Sequence, residues 1–117
     1  MTTGRRRALG QHFLRDAGIA RRIVEIAGLT PADLCVEIGP GEGVLTFLLA
    51  ERAGRLLALE VDEKLVEGLR SRLAALAHVE VQEADARSFD YSTLTALRPS
   101  PEGRVVIVGN LPYSVSK

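Results

Sequence analysis

Leu34-Cys35-Val36-Glu37-Ile38 is a short apolar run that leads without a break into Gly39-Pro40-Gly41-Glu42-Gly43 and then into the periodic segment Val44-Leu45-Thr46-Phe47-Leu48-Leu49. Strand, glycine turn and helix in that order make a nucleotide-cofactor turn. Glycine serves there because the chain reverses sharply and its backbone approaches a ligand with no Cβ in between, while the following helix offers free N–H groups. Spacing selects the ligand. A dinucleotide fingerprint needs Gly or Ala at the last place of G-x-G-x-x-G, and counting from Gly39 that place holds Val44. A phosphate-cradling P-loop ends in Gly-Lys-Ser/Thr, whereas Gly43 is followed by Val44-Leu45-Thr46. NAD and ATP are both disfavoured. Glu37, at the strand's end beside Gly39 and Gly41, repels a pyrophosphate and suits a ligand bearing an ammonium group, as S-adenosylmethionine does.

Two acids further on add to this reading. Glu60 closes the next apolar run, Leu56-Leu57-Ala58-Leu59, roughly 20 residues past the first glycine, where a carboxylate commonly accepts the ribose hydroxyls. Its alternative is a solvated strand end. Asp85 follows a third run, Val79-Glu80-Val81, and is suited to accept from an adenine amine. The alternative there is an ordinary turn aspartate, which Asp85 alone does not exclude.

Around these runs the pattern alternates. Asp16 is a candidate cap for a helix with Ile19, Ile23 and Ile26 on one face and Gly28 as its stop. Leu45, Leu48 and Leu49 turn one face of the next helix inward until Gly54, and Asp62 caps a further helix with Leu65, Leu69, Leu73 and Leu76 on one side. Ser92 is the expected cap of a short helix around Leu94 and Leu97, and Pro99-Ser100-Pro101-Glu102-Gly103 is a loop by composition. Arg104 to Val108 reads as a fourth strand, apolar on both faces. The fold class is therefore α/β with a parallel sheet and right-handed crossovers, its ligand at the carboxyl ends of the strands, where Glu37, Gly39, Glu60, Asp85 and Asn110 all fall. A strand as apolar as the fourth belongs inside a sheet, so the sequence reads as cut soon after it.

The 117 residues bound one domain, and 15 basic residues against 15 acidic ones give no net field toward nucleic acid or a membrane. The charge is uneven, however. Arg5, Arg6, Arg7, Arg15, Arg21 and Arg22 stand against Asp16 alone before Ile23, making a basic arm whose obvious partner is polynucleotide phosphate. A solvated, frayed terminus explains the charge equally well. Cys35 is the only cysteine, which excludes an internal disulfide and a cysteine metal cluster and fits a reducing cytosol. His12 and His78 lack nearby co-ligands, so no metal is expected, and no membrane-spanning run or export signal is present.

Gly10-Gln11-His12-Phe13-Leu14, Glu37-Ile38-Gly39-Pro40-Gly41-Glu42-Gly43, Leu59-Glu60-Val61-Asp62, Asp85-Ala86 and Asn110-Leu111-Pro112-Tyr113 carry a resemblance. In this order they resemble the amino-terminal part of the ribosomal RNA adenine dimethyltransferase family, its bacterial small-subunit (16S) branch most closely. The resemblance implies a Rossmann-like class I S-adenosylmethionine-dependent methyltransferase core followed by a small helical domain. Of these, residues 1–14 would be the basic arm and cofactor lid and residues 15–117 a partial core truncated after its fourth strand. The helical domain would be absent, leaving a fragment inactive by itself. The implied activity is N6-dimethylation of adenosines in small-subunit ribosomal RNA during ribosome biogenesis, in the cytoplasm, on immature subunits.

The resemblance assigns His12, Leu14 and Gly39 to the methionine end of the cofactor, Glu60 to the ribose, Asp85 and the Ala86 backbone to the adenine, and Asn110 to the ground between cofactor and target amine. At His12 the family more often carries Asn; a backbone contact survives that change and a side-chain contact does not. Beyond Tyr113, Ser114 and Val115 replace the family's usual Asn-Ile. An exocyclic adenine amine is a poor nucleophile because its lone pair is delocalised, and two acceptors would help it pyramidalise. Those are the Asn110 side-chain oxygen and the Leu111 carbonyl, held extended by Pro112. Tyr113 offers an aromatic face to the unstacked base, its alternative being a half-buried core tyrosine. Two rivals stand beside this reading. One is a large-subunit adenine methyltransferase of the resistance type, which more often carries Ile where Leu111 stands. The other is a non-catalytic RNA-binding or assembly module retaining the cofactor fold.

Overall fold

The computed structural model describes residues 17–109. His12, Leu14, Asn110, Leu111, Pro112, Tyr113 and the arm at Arg5, Arg6 and Arg7 lie outside the described residues, as does the expected cap Asp16. Within them the strand–helix alternation read from the sequence is present. The strands are β1 (Leu34–Ile38), β2 (Arg55–Glu60), β3 (Val79–Glu83) and β4 (Val105–Gly109), and the helices are α1 (Ala17–Ala27), α2 (Val44–Arg52) and α3 (Glu63–Arg72). A 3₁₀ segment spans Tyr91–Leu97.

All strand pairs are parallel, in the order β3-β2-β1-β4. The first two crossovers move outward from β1 and the third returns to its other side, so the order reverses at β1. In open α/β sheets such a reversal opens a crevice at the carboxyl ends of the strands. Register aligns those ends: Ile38 pairs with Leu59 and with Gly109, and Glu60 pairs with Glu83.

Side chains alternate across a strand, and the two faces of β1 are covered differently. Cys35 joins Ala20, Val24, Leu45, Leu49 and Leu56 under α1 and α2, whereas Leu34 and Val36 pack with Leu57, Leu59 and Leu94 on the opposite face. A third cluster seats α3 through Val66, Leu69 and Leu73 on Ala58 and Val81. Burying each such leucine contributes about 1.5–3 kcal/mol, which explains why β1 and β2 are continuous apolar runs.

The amino end of the sheet is tied by contacts that no local pattern announces. The Asp33 carboxylate accepts from Arg104 N at 2.7 Å, Arg104 Nη2 at 2.9 Å, Thr30 N at 2.9 Å and Thr30 Oγ1 at 3.2 Å. Those donors, Arg104 first, hold its pKa far below the usual carboxylate range despite burial. Gly54 and Gly103 sit beneath the same loop: a Cβ on Gly54 would lie 1.8 Å from Pro31 O, and one on Gly103 would lie 1.7 Å from Ala32 O.

Several expectations need correction. Ala20 and Val24 are the buried positions of α1, with Ile23 at their margin and Ile26 75% exposed. The face that meets the cluster under α1 and α2 is centred on Ala20 and Val24 with Ile23 packed beside them, which leaves Ile26 on the solvent side. On α3 the fully buried residues are Val66 and Leu69, with Leu65 only partly covered. The 3₁₀ segment is capped by Asp90 and not by Ser92, which donates to Asp90 Oδ1 through N at 3.0 Å and Oγ at 2.6 Å. An ionised carboxylate is the stronger acceptor. β4 needs no correction: it is the apolar strand left at an edge that the sequence implied, pairing among the described residues with β1 alone and leaving Ile107 51% exposed.

Candidate functional site

At the carboxyl end, the turn after β1 is built from three left-handed glycines, Gly39 at φ 71°, Gly41 at φ 59° and Gly43 at φ 94°. Gly43 is doubly restricted, since a Cβ there would approach Leu69 Cδ2 to 2.7 Å. The turn hangs from β2: Gly39 N donates to Leu59 O at 3.0 Å, and Gly41 N donates to Glu60 Oε1 at 3.2 Å. Helix α2 then opens at Gly43 with no side-chain cap and no acid in its first turn. Its first N–H groups therefore present partial positive charge at the turn.

Two carboxylates lie beneath. Strand alternation puts Glu37 of β1 and Glu60 of β2 on the helix-covered face, and both are buried, 1% and 2% exposed. Glu60 is well satisfied, since Oε2 also accepts from Asp62 N at 3.0 Å. Glu37 is not. Its Oε1 accepts from Thr46 Oγ1 at 2.6 Å, while Oε2 has no hydrogen-bond partner among the described residues. Burial, against the Thr46 bond and with the nearby Glu60 charge adding to it, raises the Glu37 pKa to about 7. Cys35, buried on the same face, has its thiol pushed up to about 12 by burial and by Glu37 and Asp33, so it is an inert core residue.

Asp85 stands beyond β3, close to this end because Ala84 N donates to Glu60 O at 3.0 Å. Its carboxylate is engaged by the next basic residue. Arg87 donates from N at 2.9 Å and Nε at 3.2 Å to Oδ1, and from Nη2 at 2.9 Å to Oδ2, an arrangement that lowers the Asp85 pKa. Ala86 is fixed through its carbonyl, which accepts from Tyr91 Oη at 2.6 Å. Asp62 performs the expected capping, accepting from Lys64 N at 2.9 Å and Leu65 N at 3.2 Å. His78 is bonded through Nε2 to Ala50 O at 2.7 Å, near the end of α2.

Glu37, Gly39, Gly41 and Glu60 thus come together around one turn, with Asp85 and Ala86 on the neighbouring strand exit. Sequence reasoning missed three residues. Thr46 is a lone hydroxyl on an otherwise apolar helix face, and that oddity was its signal. Val61, 53% exposed, is an aliphatic residue between two acids, Glu60 and Asp62, directly after β2. Arg87 gave no signal, because its part depends on how the turn after β3 folds.

The doubly wound order, the glycine turn and the acid at the end of β2 define a class I S-adenosylmethionine-dependent methyltransferase fold. The family described as "Ribosomal RNA adenine dimethylase" matches residues 3–117, and the chain belongs to that family. It is 43% identical over 111 residues to Ribosomal RNA small subunit methyltransferase A of Methylococcus capsulatus, covering 95% of this chain and 41% of that protein. An rRNA adenine N-6-methyltransferase of Aeromicrobium erythreum is 45% identical, with 95% of this chain and 30% of that protein covered. Among solved structures, the 23S rRNA methyltransferase ErmE superposes with a TM-score of 0.71 at 34% identity, over 86% of this chain and 38% of that one. A Plasmodium falciparum dimethyladenosine transferase gives 0.70 at 26% identity, over 85% and 33%. The chain therefore spans about two fifths of the length of the small-subunit relatives it matches. Among the described residues no helix is long and apolar enough to cross a membrane.

Proposed function

We propose that the full-length protein containing this chain uses S-adenosylmethionine to dimethylate N6 of adenosines in small-subunit ribosomal RNA, acting on immature subunits in the cytoplasm. The carrying observation is the pairing of an unpartnered buried carboxylate oxygen on Glu37 with the uncapped start of α2 across the glycine turn. An acid and a free helix N-terminus together complement a zwitterion, the ammonium and carboxylate of an amino acid. NAD and ATP carry no such end.

When bound, S-adenosylmethionine supplies an electrophilic methyl group. The chain's own residues bind and orient: Glu37, Gly39 and Gly41, with His12 and Leu14, hold the amino-acid end, and Glu60 accepts from the ribose. Asp85 and the Ala86 backbone read the adenine, whose face rests on the exposed Val61 side chain. Asn110 and the Leu111 carbonyl accept from the target amine, and Tyr113 stacks on the flipped base. Arg5, Arg6 and Arg7 meet RNA phosphate.

The test combines two measurements on the full-length protein. Calorimetric titration of Glu60→Ala is expected to weaken S-adenosylmethionine affinity at least about tenfold, roughly 1.4 kcal/mol, because a charge-assisted bond in a shielded site is lost. Single-turnover methylation of small-subunit RNA is expected to slow for both Asn110→Ala and Tyr113→Ala. Tyr113→Ala should leave cofactor affinity nearly unchanged while removing a stacking platform of about 1–3 kcal/mol per base. Wild-type rates in both variants would reject the adenine-amine mechanism and favour an RNA-binding module. The likeness to a 23S enzyme keeps one rival target, so large-subunit RNA is assayed in parallel.

A further inference from the structure

Thr46 has no part in the cofactor reading, which takes the unpartnered Oε2 of Glu37 as it stands. Both are buried, and their contact is short and directional, with the hydroxyl donating to Oε1 and leaving Oε2 as the one open acceptor. A threonine inside an apolar helix face is a poor choice for packing alone, since the hydroxyl must find a partner and valine would fill the same volume.

The groups around Glu37 define what it can accept. Among the described residues, Glu60 faces it from β2 and Cys35 from its own strand, Thr46 is the polar contact from α2, and the neighbouring β4 positions on that face are Val106 and Val108. None of these supplies a positive charge. An ionised Glu37 is therefore a buried anion beside a second anion, and a neutral Glu37 has its proton on the open oxygen Oε2.

We infer that Glu37 is a proton-releasing anchor for the cofactor's ammonium group, and that Thr46 is the positioning residue that leaves Oε2 free for it. The inference rests on the cofactor reading above. The Oε2 proton passes to the buffer as the ligand enters, no covalent bond changes, and the carboxylate left behind pairs with an ammonium that keeps its own protons. Thr46 favours the ionised form by donating to it, so the hydroxyl also sets how much proton there is to lose.

The experiment is calorimetric titration of the full-length protein with S-adenosylhomocysteine at pH 7, in buffers of different ionisation enthalpy, beside 5′-methylthioadenosine, which lacks the amino-acid end. With burial and the Glu60 charge raising the Glu37 pKa toward neutrality, the wild type is expected to release a measurable fraction of a proton per S-adenosylhomocysteine bound. No release is expected with 5′-methylthioadenosine. Glu37→Gln should release none. Thr46→Val should release more than the wild type, toward one proton, and Thr46→Ser should restore the wild-type value. Equal heats in all buffers for a wild type that binds, or release that persists in Glu37→Gln, overturns the inference while leaving the cofactor assignment standing. Failure of the wild type to bind S-adenosylhomocysteine overturns both. Should Glu37→Gln bind too weakly to titrate, the Thr46 pair decides, and unchanged release in Thr46→Val counts against the inference.

Discussion

Asp33, immediately before β1, and Glu37, near its carboxyl end, are both buried carboxylates, and they are treated in opposite ways. Four donor contacts from Arg104 and Thr30 enclose Asp33, whereas among the described residues Glu37 receives one hydroxyl and keeps an oxygen without a partner. One end of the sheet is chemically complete. The other is left with a deficit that a cationic group would fill, and a buried polar deficit is destabilising unless something outside the chain offsets it. The lesson is that, along one short stretch of chain, the degree of satisfaction separates a carboxylate that holds the fold from one proposed to meet a ligand.

The contrast can be broken most severely at the closed end. Gly54→Ala drives a methyl group into the Pro31 carbonyl and is expected to cost about 3 kcal/mol or more in a urea-unfolding series, with cofactor affinity of the remaining folded protein unchanged within about twofold. Asp33→Asn comes next, at about 2–3 kcal/mol, less than a fully buried pair because Arg104 remains half in water. Its sign against pH is fixed. Asp33 has a depressed pKa, so its contribution is present above about pH 4 and is lost as pH falls further; the variant should show a flatter acid limb.

Glu37 gives the opposite slope. Its folded pKa of about 7 lies above its unfolded value of 4.5, so the folded state binds more protons between them, and stability should fall as pH rises through that window. The loss is roughly 3 kcal/mol at most and should be absent in Glu37→Gln. A wild-type profile that is flat from pH 4.5 to 7 would remove the distinction between the two ends. The smallest effect is a control remote from both: Gly68 in α3 has open space around it, and Gly68→Ala should raise the unfolding midpoint by an amount worth about 0.5–1 kcal/mol at every pH.

How much of this could be read beforehand follows from the range of each interaction. The glycine turn, the Asp62 cap and the strand order of appearance are local, so periodicity and spacing reveal them. Glu37, Gly39, Gly41 and Glu60 were legible as a group because a parallel sheet necessarily gathers strand ends. The Asp33–Arg104 contact joins residues 71 apart, and nothing near either one signals the other. Gly54 and Gly103 looked like ordinary loop glycines, since the backbone that crowds them comes from a distant loop. Ile26 misled because periodicity marks a helix face without saying which neighbour it meets, and the burial of Glu37 was hidden because charge alone argues for solvent.

The long reach of Asp33 also bears on how the chain is made. A ribosome adding about 5–20 residues per second delivers Arg104 roughly 4 to 14 seconds after Asp33, given their separation of 71 residues. During that interval β1, β2 and β3 can emerge, but the carboxylate at the base of β1 has only Thr30 to answer it. Closing the sheet early would trap an anion short of its main donor. The arginine that ends this wait lies immediately before β4, so arrival of the last described strand and neutralisation of the first strand's base are one event in the nascent chain.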